Sequence, residues 1–213
     1  MDFEHERNLM VAHQLKDRGI TNQKLLAAFL KVPRHRFVES ALFRRAYDDN
    51  PLPIGYGQTI SQPFIVATMI QALALTGNEQ ILEIGTGSGY MTALLSQLAS
   101  KVFSIERLKL LSQKAQKTLD ELNIYNVRLL VDDGSCGSPL YAPFDAIIVS
   151  AGSPEIPEPL IEQLAPGGRL IIPIGDTDSQ ILKLVQKKGE EIEVIDLDRC
   201  VFVKLVGSHG FAK

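Results

Sequence analysis

The sequence predicts an α/β fold: a doubly wound, mostly parallel sheet, preceded by a helical region and ending in an antiparallel C-terminal edge. Three observations carry this. Five short apolar runs, QILEIG, KVFSIE, NVRLLVDD, FDAIIVSA and GRLIIPIG, recur between residues 80 and 175. Such Ile-, Val- and Leu-rich runs suit strands buried on both faces of a parallel sheet. Helical stretches separate them, and a β-α-β-α order implies a doubly wound sheet. Finally, the first run leads through Gly85-Thr86-Gly87-Ser88-Gly89 into a helical pattern, and glycines at a strand-to-helix turn allow positive φ and close approach of a ligand.

The elements follow in chain order. Residues 1–50 read as helices. Leu9, Met10, Ala12, Leu15 and their neighbours form a first face, and Gly19 stops it. Thr21 is positioned to cap a second helix that carries Leu25, Leu26, Ala28 and Phe29, and Val32-Pro33 ends it, because the residue before proline disfavours the α region. A short helix from Pro33 to about Leu42 follows. YDDNPLPIGYG reads as loop. Pro63 suits a first helical position, and Ile65, Val66, Met69, Ile70 and Leu73 continue at helical spacing to a stop at Gly77-Asn78. Beyond residue 180 further strands come without intervening helices, with a hairpin turn at Gly189. The expected organisation is a single domain over 1–213: N-terminal helices and loop to 60, a ligand-binding α/β core over 61–175, and C-terminal strands over 176–213.

Composition narrows the function classes. The chain has 213 residues, 45% hydrophobic and 22% charged, with a net charge of −3, which is ordinary for a globular domain with a real core. General attraction to nucleic acid or to an anionic membrane is not implied. One local exception is a basic cluster, Lys31, Arg34, Arg36, Arg44 and Arg45 against Glu39, readable as a solvated helix surface or as a docking patch for an acidic partner. Two distant cysteines, Cys136 and Cys200, make neither a disulfide framework nor a metal motif and fit a reducing compartment. The charged N-terminus MDFEHERNLM lacks the apolar stretch of a signal peptide, and no apolar run approaches the ~18 residues of a membrane span.

The glycine loop carries the chemistry. Its spacing is G-x-G-x-G, with Tyr90 where a dinucleotide fingerprint would place its third glycine, and no Gly-Lys-Ser/Thr follows. Glu83 stands two residues before Gly85. A carboxylate there would repel a pyrophosphate and welcome an amino group and a sulfonium, which favours S-adenosylmethionine over NAD. Glu106 ends the second strand, where it can accept from both ribose hydroxyls. Asp133 and Gly134 end the third, one able to accept from the adenine amine, the other to admit the ring. Any of these acids taken singly could be a helix cap or turn residue; together they occupy successive strand ends.

PLPIGYGQTISQP, ILEIGTGSGY, FDAIIVSAG and LAPGGRLIIPIG, with VPRHRFV before them, resemble the protein-L-isoaspartate O-methyltransferase family over about residues 8 to 207. The glycine loop is common to many class I methyltransferases; the hexapeptide QTISQP, residues 58–63, is the specific part. The resemblance implies methylation of the free α-carboxylate of isoaspartyl residues in damaged proteins, whose ester then collapses to a succinimide. It implies Ser61 as the active-site serine and Gln58, Thr59 and Ile60 as a cofactor-contacting loop. It carries cofactor contact to Glu83, Gly85, Thr86, Gly87, Gly89, Glu106, Arg107, Asp133 and Gly134, and implies no metal. Tyr56 stands where many bacterial relatives have His, Phe64 where Tyr or His is common, and Gly152 where Ala is frequent.

The hexapeptide has no acid, base or strong nucleophile, and this chemistry requires none. A carboxylate with a reference pKa of about 3.5 is already ionised at pH 7, so the protein has to align, desolvate and select. Ser61 could donate to the substrate carboxylate, and backbone N–H groups near residues 60–62 could assist if they open a helix; a plain N-cap is the alternative role for Ser61. The expected enzyme is a cytoplasmic monomer acting on isoaspartyl proteins and peptides, without nucleic acid or membrane. A class I methyltransferase of RNA or a small molecule, a non-enzymatic cofactor-binding protein and an NAD enzyme are the alternatives.

Overall fold

The structure, a computed structural model, describes residues 2–212. Helix α1 (Phe3–Leu9) is capped by Asp2, whose carboxylate accepts from the amides of Glu4 and His5. It runs on through a wider π-type segment, Met10–Leu15, to Gly19, whose φ of +95° is the predicted stop. Helix α2 (Gln23–Lys31) buries Leu25, Leu26, Ala28 and Phe29. Its cap is Asn22, which accepts from the amide of Leu25 at 3.1 Å, rather than Thr21. The amide of Thr21 donates instead to Gln71 Oε1. The helix expected after Pro33 is two 3-10 turns, Arg34–Phe37 and Ser40–Arg45.

The segment read as loop contains a hairpin: β1 (Leu52–Gly55) pairs antiparallel with β2 (Gln58–Ile60). Short alternation hid among prolines and glycines; Leu52 and Ile54 turn inward while Pro53 and Gly55 face out. Helix α3 (Pro63–Leu73) starts with proline in its first turn, as predicted, but stops before Gly77. Arg169 donates to the Leu73 carbonyl at 3.0 Å, a tertiary cap that four residues of local sequence could not announce.

The main sheet begins with β3 (Gln80–Ile84), followed by helix α4 (Tyr90–Ser96), β4 (Lys101–Ile105), helix α5 (Lys109–Glu121), β5 (Val127–Leu130), β6 (Phe144–Val149), the short helix α6 (Glu158–Glu162) and β7 (Leu164–Gly175). Strands β8 (Gln180–Lys188) and β9 (Glu191–Cys200) complete it, joined through Gly189 at φ +65°. The order is β5-β4-β3-β6-β7-β8-β9. The first five positions are parallel and the last two pairings antiparallel, which is the predicted C-terminal edge. Only 3-10 turns link β5 to β6, where a helix was expected. Among the described residues, no helix is long and apolar enough to cross a membrane.

Side-chain alternation divides the core. Ile81, Val102, Ala146 and Ile148 pack on the face covered by α2, α3, α4 and α5. Leu82, Ile84, Phe103, Ile105, Ile147 and Val149 fill the other, beneath Leu160 of α6 and Leu205. Full burial on both sides explains the unbroken apolar runs; each such side chain contributes about 1.5–3 kcal/mol. Strand order reverses between β3 and β6, so the connections that leave their carboxyl ends run to opposite faces of the sheet and open a crevice.

The basic cluster does not form one surface. Arg34 is fully buried, Arg36 pairs with Glu121 and Arg45 with Asp48.

Candidate active site

An open cleft lies at that reversal point, where open α/β sheets bind their ligands. Gly85 follows β3, Glu106 follows β4, Gly134 lies just beyond β5 and Ser150 follows β6, and all four are in its wall. Backbone hydrogen bonds knit these strand ends together: the Gly85 amide donates to Ile105 O and the Ser150 amide to Ile84 O, both at 2.8 Å.

The glycine loop behaves as its composition demands. Gly85, Gly87 and Gly89 have φ of +94°, +53° and +87°, values that side-chain-bearing residues rarely adopt. Gly85, Thr86 and Gly87 line the cavity. Gly89 does not; it caps α4, and a Cβ there would stand 3.2 Å from that of Ala115, so its place is close helix packing.

Glu106 is the best-prepared acid. Its Oε2 accepts from the Gly87 amide and its Oε1 from the Leu108 amide, both at 2.9 Å. Each oxygen keeps a lone pair, so the fixed carboxylate presents two parallel acceptors, the pattern a vicinal diol requires. Arg107 beside it is exposed and also lines the cavity.

Glu83 and Asp133 are placed differently from the expectation. Glu83 is fully buried beneath the loop and is absent from the cavity wall. Its Oε2 accepts from Thr92 Oγ1 at 2.5 Å and Ser104 Oγ at 2.6 Å, and Ser104 in turn bonds Thr86 at 2.6 Å. Burial pushes its carboxyl up to about 7, against the opposing pull of Ser104 and Thr92. It braces the loop from below and does not reach the cavity wall. Asp133 turns toward its own backbone: Oδ1 accepts from the Ser135 amide and hydroxyl and Oδ2 from the Ser208 amide at 2.7 Å. Burial works to raise its pKa, but hydrogen bonds from Ser135 and Ser208 bring it down to about 2. Its work is to hold residues 207–209 against the sheet. Gly134 stays in the wall, pressed so close that a Cβ would meet Ile84 at 2.5 Å.

Gln58, Thr59, Ile60 and Ser61 also line the cavity. Ser61 is not the cap of α3. The cap position is Gln62, and the first-turn amide of Phe64 donates to Asp49 Oδ1 at 3.3 Å. Asp49 also takes Gln62 Nε2 at 2.7 Å and pairs with Arg18 at 2.5 Å. The anion site expected at this helix start is thus filled by the chain's own carboxylate, and Ser61 is released from capping.

Some wall residues went unanticipated: Ser88, Tyr90, Ser150 and residues 203–206. Ser150 carried a signal, its place at the end of a predicted strand beside the reversal point. Its buried Oγ has no protein partner among the described residues. Residues 203–206 carried none; they reach the cavity by lying parallel to Gly152, exchanging Gly152 N–H to Val203 O and Leu205 N–H to Gly152 O. The diol-ready Glu106, the positive-φ glycines Gly85 and Gly87 and the unpartnered Ser150 hydroxyl together fit a nucleoside ligand such as S-adenosylmethionine.

The profile described as Protein-L-isoaspartate(D-aspartate) O-methyltransferase (PCMT) matches residues 5–210. The chain belongs to the protein-L-isoaspartate O-methyltransferase family. Protein-L-isoaspartate O-methyltransferase of Syntrophus aciditrophicus is 51% identical over 99% of this chain and 98% of its own length. A second, from Syntrophobacter fumaroxidans, is 52% identical over 99% of each. Among solved structures, one protein-L-isoaspartate O-methyltransferase superposes with a TM-score of 0.88 at 30% identity, over 96% of this chain and 67% of the other. Another, described as the enzyme from Plasmodium falciparum in complex with S-adenosyl-L-homocysteine, gives 0.81 at 26% identity over 97% and 99%. The isoaspartate O-methyltransferase fold therefore spans essentially the whole chain.

Proposed function

We propose that this enzyme transfers the methyl group of S-adenosylmethionine to the free α-carboxylate of an L-isoaspartyl residue, with Ser61 positioning that carboxylate. The observation that carries the reading is that Gln58 to Ser61 line the same cavity as the glycine loop while the first-turn amide of α3 is taken by Asp49. The bound cofactor supplies a methyl group activated on sulfonium. The residues of the chain do the rest. Glu106 accepts the ribose hydroxyls, Gly85 and Gly87 let the ligand lie against backbone, and Gly134 leaves room for the ring. Ser61 Oγ–H donates to one substrate oxygen and leaves the other free to attack. No proton has to be removed from a carboxylate at neutral pH, so the wall requires no general base.

An RNA acceptor loses its support, since Arg34 is interior and Arg36 and Arg45 are paired. The free thiols Cys136 and Cys200 support a reducing compartment such as the cytoplasm. The test is transfer of labelled methyl from S-adenosylmethionine to an isoaspartyl peptide and to its aspartyl twin. Base-labile label on the isoaspartyl peptide alone supports the reading; equal labelling, or none, refutes it.

A further inference from the structure

The mechanism leaves one buried ionisable side chain unused. Arg34 is fully buried, and among the described residues no carboxylate lies within ion-pair distance of it. Its partners are backbone carbonyls. Nε donates to Ala46 O and Nη2 to Ser61 O, each at 2.8 Å, with Asn50 O at 3.5 Å from Nη2. The guanidinium carbon lies 4.9 Å from the ring centroid of Tyr90, the first residue of α4 and part of the cavity wall. Nη1 and the Tyr90 hydroxyl are both buried without a partner in full hydrogen-bond geometry, but they lie close enough to attract one another, and the Asp49 carboxylate acts on Arg34 from beyond ion-pair distance. Placing a cation so deep without a counter-ion is costly. A well-packed apolar side chain at this position would serve stability better, so the fork is doing something else.

The fork bridges the two halves of the site. The Ser61 carbonyl belongs to the substrate wall and the Tyr90 ring to the start of the cofactor helix. Between them lies a cation that has donor capacity left over. We propose that Arg34 is a positioning residue for methyl transfer: it clamps the Ser61 backbone so that the serine hydroxyl faces the cavity, and its positive charge is held against the backbone of that wall. This rests on Ser61 holding the substrate carboxylate. A planar fork is required, because one arm must span Ala46 and Ser61 while the face stacks on Tyr90. A lysine keeps the charge but cannot make both contacts.

The test uses the full chain with Arg34→Lys and Arg34→Gln, each assayed at a temperature where thermal unfolding shows it folded. For Arg34→Lys, kcat/KM for an isoaspartyl peptide should fall about 100-fold, the scale of a catalytic wall displaced by an ångström. The dissociation constant for S-adenosylhomocysteine, read by calorimetry, should stay within about threefold. Arg34→Gln, without the charge, should lose more through KM than Arg34→Lys does. Combining Arg34→Lys with Ser61→Ala should be no worse than the poorer single variant, as expected for residues acting as a unit.

Peptide kinetics within about threefold of the parent would overturn the proposal. So would a parallel loss of cofactor affinity, additive losses in the double variant, or failure of both variants to fold at any temperature, which would make Arg34 a fold element only. Full activity of Ser61→Ala alone refutes the serine reading instead, and is distinguishable because Arg34→Lys is measured separately.

Discussion

Glu83→Gln tests whether Glu83 braces the loop as a neutral acid. The buried carboxyl is raised from 4.5 to about 7 by burial, with Ser104 and Thr92 pulling the other way. A folded-state pKa above the unfolded one means that the folded protein binds the proton more tightly. The associated stability is fully present below 4.5 and is lost as pH rises through 7. At ~1.4 kcal/mol per pH unit the whole span corresponds to about 3 kcal/mol, and about 2–3 of it falls between pH 5 and pH 8. Glutamine keeps the shape and an acceptor for Thr92 and Ser104 but cannot titrate. Urea unfolding of both proteins at pH 5, 6, 7 and 8 should therefore show the variant gaining on the parent by about that amount toward alkaline pH. Parallel stability profiles would refute the assignment, and would mean that Glu83 is either charged throughout or reached by water.

Three other outcomes are expected. Ser61→Ala should cut turnover of an isoaspartyl peptide by about 100-fold while S-adenosylhomocysteine binds as before; equal, modest losses in both would sink the role given to its hydroxyl. Glu106→Ala should weaken the cofactor by about tenfold or more, since two charge-assisted hydrogen bonds go, yet leave the preference for isoaspartyl over aspartyl peptide unchanged; calorimetry with S-adenosylhomocysteine decides it. Asp133→Asn should loosen residues 207–209, seen as faster amide exchange at Ser208 and His209. The Asp133 carboxylate's contribution is present above 3.8 and lost as pH falls through about 2, so the parent should show the same loosening at that acidity; unchanged exchange in the variant at neutral pH would argue against the tie.

What could be read from residues alone was whatever local periodicity and backbone chemistry govern. The buried strands announced themselves because both faces pack, and Gly85, Gly87 and Gly89 because a positive φ excludes most side chains. Glu106 was readable because a strand end beside a glycine loop has few other uses. The misreadings have a common physical origin, which is partners distant in sequence. Arg169 ends α3 from 96 residues away, and Ser208 claims the carboxylate of Asp133 across 75, while Asp49 accepts from the first turn of α3 and removes the capping alternative for Ser61. Glu83 was read by its distance from the loop in sequence, whereas strand alternation sends its side chain beneath. Arg34 looked like one more surface cation because charge in a sequence carries no depth.

The parallel contact of residues 203–206 with Gly152 bears on how the protein is made. Those residues follow β9, so in vectorial synthesis this wall of the cavity emerges after every strand of the sheet. The chain thus lays down its scaffold first and the last part of the place where a methyl group is handed over at the end.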